Sequence, residues 1–174
     1  MQARAIVDAA CAVMDADIEV LPEIMIPLVM HPDELKRLRA QVQEIIDAKA
    51  ATREVMPNIL IGTMIELPRA ALVADQVAEY ADFFSFGTND LTQTTFGLSR
   101  DDTASFLLQY ERRGILPTDP FVSIDVDGVG VLVEMAAERG RAVRPDLKLG
   151  ICGEHGGDPA SINFCEVMGL DYVS

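Results

Sequence analysis

Apolar residues form five short, almost unbroken runs along the chain, separated by longer stretches in which apolar and polar residues recur with a helical period. The runs lack the strict alternation of half-exposed strands, which is typical of strands buried on both faces of a parallel sheet. They predict five β-strands, at Ile24–Val29, Ile59–Glu66, Phe83–Gly87, Leu147–Cys152 and Tyr172–Ser174.

The stretches between these runs predict helices. Asp33–Ala51 opens with acidic residues, which the helix dipole favours, and places leucine, valine and isoleucine along one face. Asp158–Met168 opens with an aspartate that can cap a helix, followed by a proline. Further helices are predicted at Pro68–Tyr80, Thr103–Arg112 and Val129–Val143, and the segment Asp119–Gly130 is expected to be an ordered surface excursion.

The alternation of strands and helices predicts a parallel α/β fold. A doubly wound sheet and a (β/α)8 barrel of the TIM type both have this order. Polar residues follow successive strands at Glu66, Gly87–Asp90 and Cys152–His155, and this favours the barrel, because barrels carry their active sites on that face. Such a barrel has eight strands, so residues 1–174 are expected to be its C-terminal part, with about five βα units.

Composition narrows the function further. The chain has 174 residues, 49% of them hydrophobic, and no apolar run reaches the roughly 18 residues of a membrane span. The N-terminal stretch is not typical of a secretory signal. A formal net charge of −14 argues against a nucleic-acid partner. Three widely spaced cysteines, Cys11, Cys152 and Cys165, favour a reducing, cytoplasmic location over a disulfide framework.

Two acidic residues end neighbouring predicted strands, Glu66 after Ile59–Ile65 and Asp90 after Phe83–Gly87. Neighbouring parallel strands lie roughly 4.8 Å apart, so the two carboxylates can converge on one cation. Magnesium binds through one or two carboxylates and takes its other ligands from water and substrate oxygens. Each acid can instead cap the helix that follows it. The spacing alone supports metal binding and capping about equally.

The turn from Gly87 to Asp90 has the composition of an anion site, because glycine lets the backbone approach a ligand and Asn89 adds a neutral donor. The longer run from Asp82 to Arg100, DFFSFGTNDLTQTTFGLSR, closely resembles the signature of the phosphoenolpyruvate (PEP)-utilising enzymes. That resemblance implies a PEP/pyruvate-binding (β/α)8 barrel with Mg²⁺ on Glu66 and Asp90. The implied substrate contacts come from Glu66, Gly87, Thr88, Asn89 and Asp90.

A thiol flanked by glycine and followed by two polar residues ends another strand, in the order Cys152, Gly153, Glu154, His155. An unpaired cysteine is usually a small buried hydrophobe, as expected for Cys11 and Cys165. At a strand end a thiol can be a nucleophile or a proton donor, depending on its pKa. The resemblance implies that Cys152 is catalytic and protonates the enolate carbon of pyruvate, or removes a methyl proton in the reverse direction.

Three further residues are assigned supporting roles. Arg100 either reaches the mouth of the site or pairs with Asp101 or Asp102. Glu154 and His155 are expected to hold the thiol and order its proton. For His155 a loop histidine bonded to the backbone is an equally supported alternative.

The stretch from Asp101 to Arg141 resembles one branch of the family, whose members interconvert ATP, phosphate and pyruvate with AMP, diphosphate and PEP. The resemblance implies phosphoryl transfer between a phosphohistidine domain and pyruvate, through an enolate stabilised by Mg²⁺. Neither His31 nor His155 matches the carrier motif. The phosphohistidine and nucleotide-binding domains are therefore expected to lie outside residues 1–174, in a homodimeric enzyme.

Other functions are compatible with parts of the sequence. PEP synthase and enzyme I of the sugar phosphotransferase system belong to the same family. A metal-dependent lyase or aldolase on a similar barrel also uses acids at strand ends, but has no need of Cys152. A half-barrel that binds partners without catalysis is a third alternative. A Cys/His protease is disfavoured, since it leaves the acidic pair unexplained.

Overall fold

The computed structural model describes residues 1–103 and 106–174, in which five strands form one parallel sheet flanked by helices. The strands are β1 (Glu23–Ile26), β2 (Leu60–Ile65), β3 (Phe83–Gly87), β4 (Lys148–Cys152) and β5 (Tyr172–Val173). The α-helices are α1 (Gln2–Asp15), α2 (Pro32–Ala50), α3 (Pro68–Leu72), α4 (Ala74–Ala78), α5 (Thr88–Phe96), α6 (Arg100–Thr103), α7 (Leu107–Arg112), α8 (Val131–Val143) and α9 (Pro159–Val167). A π-helical turn (Val126–Gly130) precedes α8, and a 3-10 turn (Glu154–Gly157) precedes α9.

The strands lie in the sheet in chain order, β1-β2-β3-β4-β5, and each neighbouring pair is parallel. A doubly wound sheet reverses its strand order at a switch point, and this sheet has no reversal among its five strands. The predicted α/β class is confirmed. The order is that of a partial TIM-type barrel, and the doubly wound alternative is wrong.

The two faces of the sheet differ in chemistry. On one face, Phe84, Phe86 and Leu149 join the main hydrophobic core with apolar residues of the helices. Because successive side chains of a strand point to opposite faces, the other face of β3 and β4 carries Ser85 and Cys152. A barrel encloses this second face, and it is the face on which polar side chains collect.

Burial on both faces, predicted for all strands, is confirmed only for the middle of the sheet. All five residues of β3 are buried. In β1 the prediction is wrong, because Glu23 and Met25 are exposed while Ile24 and Ile26 are buried. Ile24 and Ile26 lie on the core face, whereas Glu23 and Met25 lie on the second face of the sheet, which the described residues leave open at β1.

The N-terminal helix α1 was not predicted. It buries Val7, Ala10 and Cys11 and packs against α2. These positions have the i, i+3, i+4 spacing of a helical face. The apolar periodicity of this stretch was therefore an available signal for the helix.

Two predicted helices have interruptions. The helix predicted at Pro68–Tyr80 divides at Val73, whose φ of −120° and ψ of 30° are not helical, into α3 and α4. The helix predicted at Thr103–Arg112 corresponds to the last residue of α6 and to α7. Residues 104 and 105 of that prediction lie outside the described residues.

The segment Asp119–Gly130 is ordered, but its placement as a surface excursion is wrong. Phe121, Ile124 and Val129 are buried, and the π-helical turn at its end is capped by Asp125, whose side chain accepts a hydrogen bond from the Val129 N–H. The segment therefore packs beneath the loop that follows β4.

The predicted cap of α9 is confirmed, since the Asp158 carboxylate accepts a hydrogen bond from the Ser161 N–H at 2.9 Å. Hydrogen bonds from Ser123 and Ser161 lower the pKa of Asp158 to about 2. In the part of the chain that the structure describes, no helix is long and apolar enough to cross a membrane.

Candidate active site

The register of the sheet brings the predicted site residues to one edge. Ile65, the last residue of β2, pairs with Phe86 of β3, and Gly87, the last residue of β3, pairs with Cys152 of β4. Glu66, Asp90 and Cys152 therefore belong to three adjacent strand ends. The pKa of Glu66 responds to Asp90, and the pKa of Cys152 responds to both carboxyl groups, so the three groups lie within electrostatic range of one another.

Glu66 is almost completely buried, with 3% of its surface exposed. Its Oε1 accepts a hydrogen bond of 2.6 Å from the backbone N–H of Leu28. Leu28 has a φ of 54°, a left-handed conformation that costs a non-glycine residue roughly 1–2 kcal/mol. The loop after β1 is thus held in an unfavourable conformation in which its amide points at the carboxylate.

Burial, together with the hydrogen bond and negative charge of Asp90, raises the pKa of Glu66, and the Leu28 amide opposes this shift only in part. Ionisation of Glu66 beside Asp90 is therefore less favourable than ionisation of a glutamate in water. The alternative in which both acids cap helices is wrong. Leu67 and Gly87 occupy the N-cap positions of α3 and α5, and neither helix has a side-chain cap.

Gly87 allows these elements to meet. A Cβ on Gly87 would lie 2.5 Å from Sδ of Met64 and 2.8 Å from Cβ of Glu66. Any side chain here would therefore displace the carboxylate. The role of this glycine is close packing, since its φ of −83° is open to other residues.

The thiol of Cys152 lies 3.6 Å from the carbonyl oxygen of Phe86 and is half-buried. Burial raises its pKa, the nearby charges of Glu66 and Asp90 raise it further, and a hydrogen bond with Ser85 opposes both. At neutral pH the group is consequently a thiol and not a thiolate. This state suits a proton donor better than a resting nucleophile.

Ser85 and Tyr172 are site residues that the sequence analysis missed. They lie in one row across the sheet, because Ser85 pairs with Gly150 and Gly150 pairs with Tyr172. The Tyr172 ring covers Gly150 so closely that a Cβ there would lie 2.2 Å from the ring. The Ser85 hydroxyl is hydrogen-bonded to both Tyr172 and Cys152. A lone serine inside the apolar run Phe83–Phe86 was the available signal.

The amide of Asn89 has a defined orientation. Its Oδ1 accepts a hydrogen bond from the Glu154 N–H at 3.3 Å, so its NH2 group faces away and can donate to another acceptor. Gly153 lies against this amide with a φ of 103°, and a Cβ on it would lie 2.9 Å from Oδ1. The glycine is required both by its backbone conformation and by this contact.

His155 is fully buried and makes two hydrogen bonds. Its Nε2 lies 2.9 Å from the carbonyl oxygen of Pro120, which only accepts, so Nε2 carries a proton. In the neutral ring Nδ1 then accepts from the Thr88 hydroxyl at 2.7 Å. His155 is thus bonded to the backbone, as the alternative expected, and it holds the Thr88 side chain, whose oxygen is 3.3 Å from the Cys152 carbonyl oxygen. Its role toward the Cys152 thiol stays a prediction.

Arg100 forms an ion pair with Glu154 and lies over the Phe121 ring, with Cζ 5.7 Å from the ring centroid. These contacts join the segment after α5 to the loop after β4. Arg100 thus borders the site at its rim, as one of its two predicted placements required.

The donor set fits magnesium better than a transition metal. Among residues 1–103 and 106–174, no group of three or more His, Cys, Asp and Glu side chains is arranged to hold a metal ion. Zinc sites use three or four protein ligands, whereas Mg²⁺ is commonly held by one or two carboxylates with water and substrate oxygens. Burial and the negative charge of Asp90 raise the pKa of Glu66, and a divalent cation beside the two groups would offset that negative charge.

Concave surfaces do not mark this site. A cavity of about 490 Å³ lies between α1 and α2 and is lined by residues such as Arg4, Asp8 and Lys49. None of the predicted site residues lines it. A smaller cavity of about 360 Å³ borders the site through Arg100 and Phe121.

Comparisons with known proteins show the family of this chain. Residues 1–174 match the family model described as "PEP-utilising enzyme, PEP-binding domain". The chain is 63% identical over 177 residues to pyruvate, phosphate dikinase of Rhizobium meliloti (strain 1021), which covers 100% of the chain and 20% of the relative. It is 55% identical over 174 residues to pyruvate, phosphate dikinase 1, chloroplastic, of Arabidopsis thaliana, with 100% and 18% covered.

Pyruvate, phosphate dikinase of Clostridium symbiosum is 54% identical over 175 residues, again with 100% of this chain and 20% of the relative covered. The chain thus spans about a fifth of the length of these curated relatives. The family model covers every residue of it. The chain therefore belongs to the PEP-utilising enzymes and corresponds to their PEP-binding domain.

Proposed function

We propose that this chain is the C-terminal part of the PEP/pyruvate-binding barrel of a pyruvate, phosphate dikinase. In the complete enzyme it would transfer a phosphoryl group between a phosphohistidine domain and pyruvate. The overall reaction converts ATP, phosphate and pyruvate to AMP, diphosphate and PEP. The observation that supports the proposal is the strand register, which brings Glu66, Asp90 and Cys152 to three adjacent strand ends. The names of the relatives reported above support the choice of dikinase.

Glu66 and Asp90 are the residues that would hold Mg²⁺. The bound ion would supply positive charge that stabilises the enolate oxygen of pyruvate. The Leu28 amide orients Glu66 through Oε1 and leaves Oε2 for other contacts. The Asn89 NH2 group, freed by the bond from Oδ1 to the Glu154 amide, can donate to an anionic oxygen of the substrate.

Cys152 moves the proton on carbon. In the direction of pyruvate formation the S–H bond breaks, its proton forms the new methyl C–H bond, and the thiolate keeps the electron pair. The Ser85 hydroxyl, which lies between Cys152 and Tyr172, can donate to that thiolate. In the direction of PEP formation the thiol first gives its proton to solvent, and the thiolate then removes a methyl proton while the C–H electron pair moves toward the keto oxygen to form the enolate. The raised proton affinity of this thiolate makes it a stronger base than an exposed thiolate.

The domain arrangement belongs to the same proposal. The first three βα units of the barrel, the nucleotide-binding domain and the phosphohistidine domain would lie outside residues 1–174. We further propose that the complete enzyme is a cytoplasmic homodimer without nucleic-acid or membrane partners. A purified complete protein that forms PEP from pyruvate and ATP only when phosphate is present would support the dikinase. Dependence on water in place of phosphate would favour PEP synthase.

The metal assignment is tested by calorimetric titration of the complete protein with Mg²⁺. Asp90→Ala is expected to abolish measurable binding, because one of two carboxylates is lost. Asp47→Ala serves as the control, since Asp47 is an exposed carboxylate of α2. Equal heats for wild type and Asp90→Ala would support a non-catalytic half-barrel instead.

A further inference from the structure

The carboxylate of Asp90 has a second partner besides Glu66. Asp90 and Gln93 lie three residues apart in α5, a spacing that places their side chains on one face of the helix. Nε2 of Gln93 donates to Oδ1 of Asp90 at 3.1 Å. This contact occupies one oxygen of a carboxyl group on which the proposed function depends.

The orientation of the Gln93 amide follows from its other contact. The backbone N–H of Arg100 lies 2.9 Å from Oε1 of Gln93. A backbone N–H can only donate, so the atom that it meets is the amide oxygen. The NH2 group is consequently the end that faces Asp90. Rotating the amide by 180° would bring its NH2 group against the Arg100 N–H and its oxygen against the Asp90 carboxylate, and neither pair can form a hydrogen bond.

Arg100 is itself held in place, which makes this orientation stable. Gly97 ends α5 with a φ of 66°, a left-handed conformation that turns the chain back over the helix. The Leu98 N–H donates to the Gln93 carbonyl oxygen at 2.9 Å. The guanidinium of Arg100 pairs with Glu154, on the loop after β4. The amide of Gln93 is therefore fixed from two separate segments.

We propose that Gln93 is a positioning residue for Asp90, an inference that rests on the proposed function. By donating to Oδ1 it fixes the side-chain rotamer of Asp90 and leaves Oδ2 for the cation. Hydrogen bonds of this kind to a metal-binding carboxylate orient the ligand, and their loss typically weakens metal binding about 10–100-fold.

The variant Gln93→Met removes the amide while keeping the length of the side chain and a good helix former. The chain offers a matched control, because Nε2 of Gln43 donates to Oδ1 of Asp47 at 2.8 Å on the exposed surface of α2. In calorimetry on the complete protein, Gln93→Met is expected to bind Mg²⁺ about 10-fold more weakly than wild type or more, and Gln43→Met equally tightly. Equal affinity for Gln93→Met and wild type would overturn the inference.

The variant Gln93→Glu separates positioning of Asp90 from support of the turn at Arg100. It retains an acceptor for the Arg100 N–H but replaces the donor to Asp90 with an oxygen. Hydrogen exchange of the Arg100 amide is expected to accelerate in Gln93→Met and to stay slow in Gln93→Glu, while Mg²⁺ binding weakens in both. Restored or tighter Mg²⁺ binding in Gln93→Glu would overturn the inference.

The experiment distinguishes failure of the inference from failure of the proposed function. A wild-type protein that binds no Mg²⁺ overturns both. A wild type that binds Mg²⁺, together with unchanged binding in Gln93→Met, overturns only the role of Gln93. Rapid exchange of the Arg100 amide in the wild type would contradict the fixed amide orientation, whatever the metal titration shows.

Discussion

The carboxyl groups at the two ends of the strands have pKa values shifted in opposite directions. At the edge where the strands begin, Asp82 accepts hydrogen bonds from the Ile61 N–H and from Arg39 and Arg144. Burial acts to raise its pKa, but these partners outweigh burial and hold the pKa below its ordinary value. At the edge where the strands end, burial and Asp90 raise the pKa of Glu66.

At the edge where the strands begin, a second aspartate has the same kind of partners as Asp82. Asp171 precedes β5 as Asp82 precedes β3, and it accepts from the Leu149 N–H at 2.8 Å and from Arg141. Acids here have partners within the chain and stabilise the fold. At the other edge Glu66 and Asp90 accept from neutral donors, the Leu28 N–H and the Gln93 amide, so their negative charge is left for a cationic ligand. The difference separates structural acids from candidate functional ones without reference to any motif.

The largest effect, on the rate of PEP formation, is expected for a substitution at the edge where the strands end. In the complete protein, Cys152→Ala is expected to lower the rate of PEP formation from pyruvate by about 10²–10⁴-fold, because the proton on carbon loses its carrier. The KM for pyruvate is expected to change little, since both carboxylates remain. Steady-state kinetics measures both quantities.

Cys165→Ala is the control for that experiment. Cys165 is buried, which raises its pKa to about 11, and it lies in α9 away from the strand ends. Its replacement is expected to leave the rate per folded molecule unchanged. Full activity of Cys152→Ala would instead favour a lyase or aldolase that uses the acidic pair alone.

A smaller effect, on the free energy of unfolding, is expected for a substitution at the edge where the strands begin. Asp82→Asn breaks two ion pairs at a carboxyl group with 18% of its side chain exposed. A loss of about 2 kcal/mol, or roughly 4–8 °C in melting temperature, is expected, with activity per folded molecule unchanged. The more exposed Asp171→Asn is expected to cost less than about 1 kcal/mol.

The contribution of Asp82 to folding stability depends on pH. Its lowered folded-state pKa contributes stability that is present above the ordinary value of 3.8 and is lost as pH falls through the folded-state value. Asp82→Asn therefore removes part of the acid destabilisation. Melting curves recorded between neutral and acidic pH measure this. A wild type and variant with parallel pH profiles would contradict the structural role of this acid.

The smallest effect, on melting temperature, is expected for Glu66→Gln in the absence of Mg²⁺. Because the folded-state pKa of Glu66 is raised above its ordinary 4.5, the folded state keeps a proton that the unfolded state has lost, and stability falls as pH rises through that interval. The variant avoids this fall. It is expected to melt at a slightly higher temperature than metal-free wild type at neutral pH, and to gain nothing from Mg²⁺. A lower melting temperature would contradict the comparison between the edges.

The central part of the fold was predictable from sequence because it depends on local patterns. β3 spans the predicted residues Phe83–Gly87, and α9 starts after its predicted cap, Asp158. α1 was not predicted, although its buried residues have the spacing of a helical face; the partner of that face, α2, is known only from the fold. The division at Val73 likewise reflects packing of α3 and α4 against α8 and not a local breaker residue.

The candidate site was predictable where a residue type implies its chemistry. The acids Glu66 and Asp90 and the thiol of Cys152 follow strands, and their common edge follows from the parallel order. The roles of Ser85 and Tyr172 depend on strand register, which brings together residues 87 positions apart. The contact of Leu28 with Glu66 depends on a backbone conformation that nothing in the side chain signals.

That contact gives β1 an importance beyond its four residues. The amide that meets Glu66 belongs to the second residue after β1, so the position of the carboxylate is tied to a strand that pairs on one side only among the described residues. Any segment that pairs with the free side of β1 would shift this amide before it reached the site itself. Closure of the sheet on that side would thereby set the geometry of the acidic pair.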